Sequence, residues 1–209
     1  LRDIPSLSST SNLSSSFAIG LITSKQAINQ VFSNSDGTGT GQLAWVNEII
    51  WREFYKYITY HYPHVSKGKS FNPKYDLISW REDEDSFIKW REGKTGIPIV
   101  DAAMRQLNQT KWMHNRLRMI TAMFLSKNLL IDWRKGERYF MENLIDGDFC
   151  SNNGGWQWSA STGVDASPYF RIFNPITQSE KFDPDGKFIK KFIPELIECP
   201  SKEIHNPSK

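Results

Sequence analysis

Met113-His114-Asn115-Arg116-Leu117-Arg118-Met119-Ile120-Thr121-Ala122-Met123-Phe124-Leu125 decides the reading of the fold. Leu117, Ile120, Thr121, Phe124 and Leu125 recur at steps of three and four, which places them on one face of an amphipathic helix. The same period marks Trp45, Ile49, Trp51, Phe54, Tyr55 and Ile58, a helix running from Gln42 to His61. Further helices are predicted over 84–92, 98–109, 112–130 and 135–144, and Ile19, Ile22, Ala27, Ile28 and Val31 predict one near the start. Residues 62–80 read as irregular, and Ser35 to Gly41 as a turn. Beyond Asp146 the chain turns glycine- and asparagine-rich, then aromatic, then loop-like. Alternating strand patterns are scarce and no internal repeat is found. The expectation is an all-α domain.

Composition narrows the function. The 209 residues are 39% hydrophobic and 23% charged, enough for one domain with a real core. No apolar run approaches the ~18 residues of a membrane span. Two cysteines, Cys150 and Cys199, cannot make a disulfide framework, so a reducing, cytoplasmic setting is the simpler reading. Net charge is only +3, so a nucleic-acid surface must be a local basic patch. His61, His64, His114 and His205 do not cluster with other ligand types, and no metal site is expected. Tryptophan, 8 in 209, is the unusual excess. The chain opens at Leu1 without methionine and reads as one domain over 1–209, incomplete at both ends.

Three stretches carry chemistry. Trp45, Glu48, Arg52 and Tyr55 share a helix face, mixing an aromatic ring, a carboxylate, a guanidinium and a phenol. The plain alternative is a surface face with an intrahelical Glu48–Arg52 pair. Asn115, Arg118 and Met119 form a second polar face, with Arg116 pointing elsewhere; arginine beside an amide suits a phosphate or the edge of a heterocycle. Asp146-Gly147-Asp148 precedes Asn152-Asn153, with Trp156 and Trp158 just beyond. These carboxylates suit acid–base chemistry or hydrogen bonds from a ribose or a ring N–H. The residues alone reach a helical domain for an aromatic, phosphorylated ligand, or for stacked bases of a nucleic acid. Seven of the residues from Ser6 to Ser16 are serine, which on composition is a flexible linker.

Asn47-Glu48-Ile49-Ile50-Trp51-Arg52-Glu53-Phe54-Tyr55, the run from Gly93 to Arg105, Trp112 to Arg118, Asp132-Trp133-Arg134 and Asp146 to Trp158 together resemble the FAD-binding region of the photolyase/cryptochrome family. The likeness points to its class I bacterial cyclobutane pyrimidine dimer photolyases and covers nearly the whole chain. It implies a helical FAD-binding domain, with an N-terminal α/β domain for a folate or deazaflavin antenna expected only in the full-length protein. It also implies a monomer that acts on dimer-containing DNA and has no membrane attachment. Thr10, Ser11, Asn12, Leu13 and Ser14 then match the stretch that grips the FAD diphosphate. Trp45, Arg52, Arg118, Asp146, Gly147, Asp148 and Asn152 match further FAD contacts, Asn152 facing flavin N5. Arg2, Glu48, Trp51, Asn115, Arg116, Met119 and Trp158 match the pocket for a flipped-out dimer. Trp156, Trp133 and Trp80 match the family's electron-carrying tryptophans. The implied reaction is light-driven dimer cleavage; the alternative is a blue-light photoreceptor without repair.

Overall fold

A computed structural model describes residues 1–34, 39–166, 168–169 and 171–207. Among them the chain forms α1 (Ser14–Ala18), α2 (Ser24–Asn34), α3 (Thr40–His61), α4 (Glu84–Glu92), α5 (Pro98–Thr110), α6 (Asn115–Met123), α7 (Trp133–Asn143), α8 (Phe149–Ala160), α9 (Pro175–Phe182) and α10 (Lys187–Phe192), with no strand. The domain is all-α, as the apolar periods require. Most of the turn at Ser35–Gly41 lies outside the described residues.

Long-period helices appear where the pattern puts them, and local chemistry sets their ends. Asp83 caps α4 by accepting from the Ser86 backbone N–H, Asp132 caps α7 through Arg134, and Pro98 opens α5 where no N–H is needed. The 112–130 stretch is not one helix. His114 caps α6 by accepting from the Arg116 N–H, and after Met123 the chain widens into a π-turn over Phe124–Asn128.

Two other expectations change. The early apolar pattern splits, because Gly20 takes a left-handed φ of 75° and leaves Ile19 and Leu21 exposed. Thr23 and Gln26 then restart the helix with a reciprocal cap, at 3.0 Å and 3.2 Å. In the glycine-rich stretch after Asp146 the chain forms α8, capped by Asp148 on the Ser151 N–H. Glycine in a helix costs about 1 kcal/mol. Here packing overrides it: a Cβ on Gly154 would overlap the Tyr55 ring of α3, and one on Gly136 would overlap the Trp156 ring.

The main core gathers Trp90, Trp133, Trp156, Phe140, Leu117 and Ile120 with most of α5 and α10. Trp90 is fully buried, donates to the Thr121 carbonyl at 3.1 Å, and stacks on Phe140 at 6.0 Å. A second, small core of Phe17, Ala27 and Ile49 joins α1, α2 and α3.

Candidate active site

An open cleft with a cavity of about 150 Å³ lies between α6, α7, the 144–148 segment and α8. Asn115, Arg118, Met119, Asp146, Gly147, Asp148, Asn152 and Trp156 line it, so the second polar face and the Asp146 segment converge, with Arg118 and Asp146 28 residues apart in sequence. Phe140, Leu144 and Ala122 add an apolar floor, with Ser151, Gly155 and Ser159. These six were missed as site residues. The apolar three carry a core period, and Gly155 reads as loop.

Two guanidiniums are fixed by the two carboxylates. Arg118 Nη2 binds both oxygens of Asp146 at 2.9 Å and 2.7 Å, and its Nε donates to the Met113 carbonyl. The Asp146 side chain is 2% exposed, so removing Arg118 would strand a buried charge. Arg52 reaches Asp148 at 3.3 Å and donates to the Phe17 carbonyl at 3.0 Å, tying α3 and α1 to the first turn of α8. The intrahelical Glu48–Arg52 pair does not form. Arg52 turns to Glu53 and Asp148, and Glu48 turns to Arg2.

Asn152 donates one Nδ2 hydrogen to the Glu137 carbonyl at 2.9 Å, which fixes the amide and leaves its Oδ1 and second N–H available. Burial pushes the Glu137 carboxyl above the usual range, offset in part by the Asn153 side chain beside it. The serine-rich start is ordered: Ser11 Oγ accepts from Trp45 Nε1 at 3.2 Å, Thr10 donates to Asn12, Leu13 packs on the small core, and Ser14 opens α1. Asn12 has a left-handed φ of 53°.

Other expected residues lie apart. Arg116 pairs with Asp3 at 2.9 Å, lies 4.4 Å over the Phe182 ring and touches Met119 at the cleft. Trp51 is 42% exposed. Trp158 lines a smaller hollow on the opposite side of α8 with Tyr55, whose phenol burial pushes up to about 12. Trp133 and Trp156 are core residues, and Trp80 packs against the same core. The indole Nε1 of each of the three is buried without an acceptor among the described residues.

The donor set fits a flavin dinucleotide. The Arg52 guanidinium and the hydroxyls of Thr10, Ser11 and Ser14 sit toward α1, carboxylates, Arg118 and an amide in the middle, and an apolar floor beneath. Above Gly155 there is open space where any side chain would project into the cleft. Among the described residues, no helix is long and apolar enough to cross a membrane.

Residues 45–209 match the family model described as the FAD binding domain of DNA photolyase. The chain is 55% identical over 212 residues to the deoxyribodipyrimidine photo-lyase of Escherichia coli, covering all of this chain and 44% of that protein. It superposes on a bacterial class III photolyase from Agrobacterium tumefaciens with TM-score 0.94 and 48% identity, over 99% of this chain and 43% of that one. An archaeal photolyase from Sulfolobus tokodaii, solved with two FAD molecules, gives TM-score 0.89 and 44% identity over 99% of this chain and 46% of its own. The chain thus spans less than half the length of these relatives. The class III match overturns the assignment to class I, because a photolyase of that other class superposes on 99% of this chain.

Proposed function

The chain belongs to the family of FAD-binding domains of DNA photolyases, and from that membership we propose that its protein is a deoxyribodipyrimidine photo-lyase repairing cyclobutane pyrimidine dimers in DNA. The observation that carries the reading is the cleft itself, where Arg118–Asp146, Arg52–Asp148 and Asn152 converge over an apolar floor. FAD is the family's cofactor. Bound and reduced, it would supply light-driven one-electron chemistry for cleaving the dimer.

The protein's residues hold and orient. Thr10, Ser11, Asn12, Leu13 and Ser14, with Arg52, receive the diphosphate; hydroxyls, backbone N–H groups and a guanidinium suit that anion. Trp45 is fixed beside them by Ser11. Arg118, Asp146, Gly147 and Asp148 hold the ring system and ribose. The bond from Asn152 Nδ2 to the Glu137 carbonyl holds the amide in place, so that its Oδ1 can accept from a ring N–H, which favours the protonated, reduced cofactor. Asn115 and Met119 wall the dimer from the cleft, Glu48 binds a pyrimidine edge, and Arg2 and Arg116 meet phosphates. A damaged pair is cheaper to extrude than an intact one, since its stacking is already disturbed. Trp156, Trp133 and Trp80 carry electrons inward from the surface through a core that excludes water.

The test uses the full-length protein: its visible absorption, then repair of dimer-containing DNA with and without blue light. Flavin bands with light-dependent repair support the reading; flavin without repair would move it to a photoreceptor. Trp156→Phe is expected to block photoreduction while sparing repair by cofactor that is already reduced, and equal loss of both would make Trp156 structural.

A further inference from the structure

Two consecutive residues of opposite charge, Arg2 and Asp3, cross from α3 to α6. Arg2 Nη2 binds Glu48 Oε1 at 2.8 Å, and Asp3 Oδ1 accepts from Arg116 Nη2 at 2.9 Å. Between them the Arg2 carbonyl meets His114 Nε2 at 2.9 Å, while His114 Nδ1 accepts from the Arg116 backbone N–H at 3.1 Å. Those two bonds fix the ring as the neutral Nε2–H tautomer, and burial keeps it neutral by holding its pKa below the usual imidazole value. The segment is therefore a strap pinned at three points, and its ends neutralise two residues of the substrate pocket.

Arg116 is posed rather than loose. Its guanidinium rests on the Phe182 ring, and its Nε is buried with no hydrogen-bond acceptor among the described residues. One donor thus still calls for an oxygen. Both ion pairs are partly exposed, with side chains between 20% and 46% accessible, so each contributes little to stability and can be exchanged.

We propose that Asp3 is a specificity-determining residue: the Arg2-Asp3 strap keeps Glu48 and Arg116 neutralised until a ligand replaces both pairs together. The inference rests on the photo-lyase reading. An intact duplex brings only phosphates, which meet an arginine already paired and a carboxylate that repels them. An extruded pyrimidine pair brings a polar base edge for Glu48 and a phosphate for Arg116 at the same time. Arg2, released from Glu48, is then free to take a phosphate of its own.

The experiment measures, in the dark, fluorescence anisotropy of the full-length flavoprotein with intact and with dimer-containing duplexes. Asp3→Asn removes a negative charge and frees Arg116, adding about one phosphate contact to intact DNA, whereas with dimer duplex the arginine is already released. Affinity for intact duplex should rise about five-fold with a steeper salt dependence, while affinity for dimer duplex should change less than about two-fold. Asp3→Glu should restore discrimination. Equal changes on both duplexes, or none, would overturn the proposal. Flavin absorption and the unfolding transition report whether Asp3→Asn folds; if it does not, the equally neutral Asp3→Ser carries the same expectation. A wild-type protein with no preference for dimer duplex would instead remove the photo-lyase reading.

Discussion

Under α4 to α8 and α10, aromatic and aliphatic side chains form one continuous core, with Trp90, Trp133 and Trp156 at most 2% exposed. Under α1 to α3, among the described residues, the buried core is Phe17, Ala27 and Ile49. The first region is held by area removed from water. The second is held mostly by polar links: Ser24 to Glu53 at 2.7 Å, Trp45 to Ser11, Arg52 to Phe17 and Asp148. The cleft therefore has one side, from α6 to α8, built on the main core, and another that rests on a small core and polar links. A protein that must admit a large dinucleotide can keep its chemistry rigid and its entrance soft.

Trp90→Ala should break the first region outright, lowering stability by about 3–5 kcal/mol in a single global transition. Ile49→Ala should cost about 2 kcal/mol and show itself as faster hydrogen exchange confined to α1–α3. An equal global loss from both would end the contrast. Next in size, removing FAD from the full-length protein should speed exchange about tenfold in residues 10–34 and much less in α5 and α7, because a ligand stabilises most what it orders. Thr23→Ala, which deletes the reciprocal cap, should cost about 1 kcal/mol and again act on α2 alone.

Acid gives the smallest and sharpest effect, since Glu53 in the second region and the buried Asp101 and Asp183 in the first respond with opposite sign. The Ser24 hydrogen bond holds Glu53 below its ordinary pKa of 4.5, so its contribution is present above that value and is lost as pH falls through the lowered one. Burial holds Asp101 and Asp183 above 3.8, so their contribution is full below 3.8 and is lost as pH rises through the raised values. Between pH 5 and 3, exchange should quicken at α2 and α3 before the main core yields, and Glu53→Gln should erase that early step.

Helices α3 to α7 were legible because each buries a stripe of fixed period, and a period survives in sequence. The helix α8 was not, because Asn152-Asn153-Gly154-Gly155 carries loop propensities that only a neighbour overrides, and Tyr55 lies 99 residues away. Helices α9 and α10 were hidden by their length and by the prolines, although Asn174-Pro175 is a proper helix start. At the site, residue types named a phosphorylated aromatic ligand and no more. The pairing of Arg118 with Asp146 is a tertiary fact, and the flavin assignment came from resemblance. Asp3 carried no signal, since a lone carboxylate near a chain start gains meaning only when Arg116 folds beside it.

The adjacent glycines of α8 face opposite ways, Gly154 against a neighbouring helix and Gly155 toward the cleft. At that point the partition between protein interior and ligand is one bare backbone cylinder, about 2.3 Å in radius. The same methyl group added on either side should produce opposite phenotypes. At 155 it would firm the helix and crowd the cavity, giving a sturdier protein that loads cofactor poorly; at 154 it would push Tyr55 away and loosen the fold without narrowing the cavity. A screen scored only on thermal resistance would pick the first and discard the function.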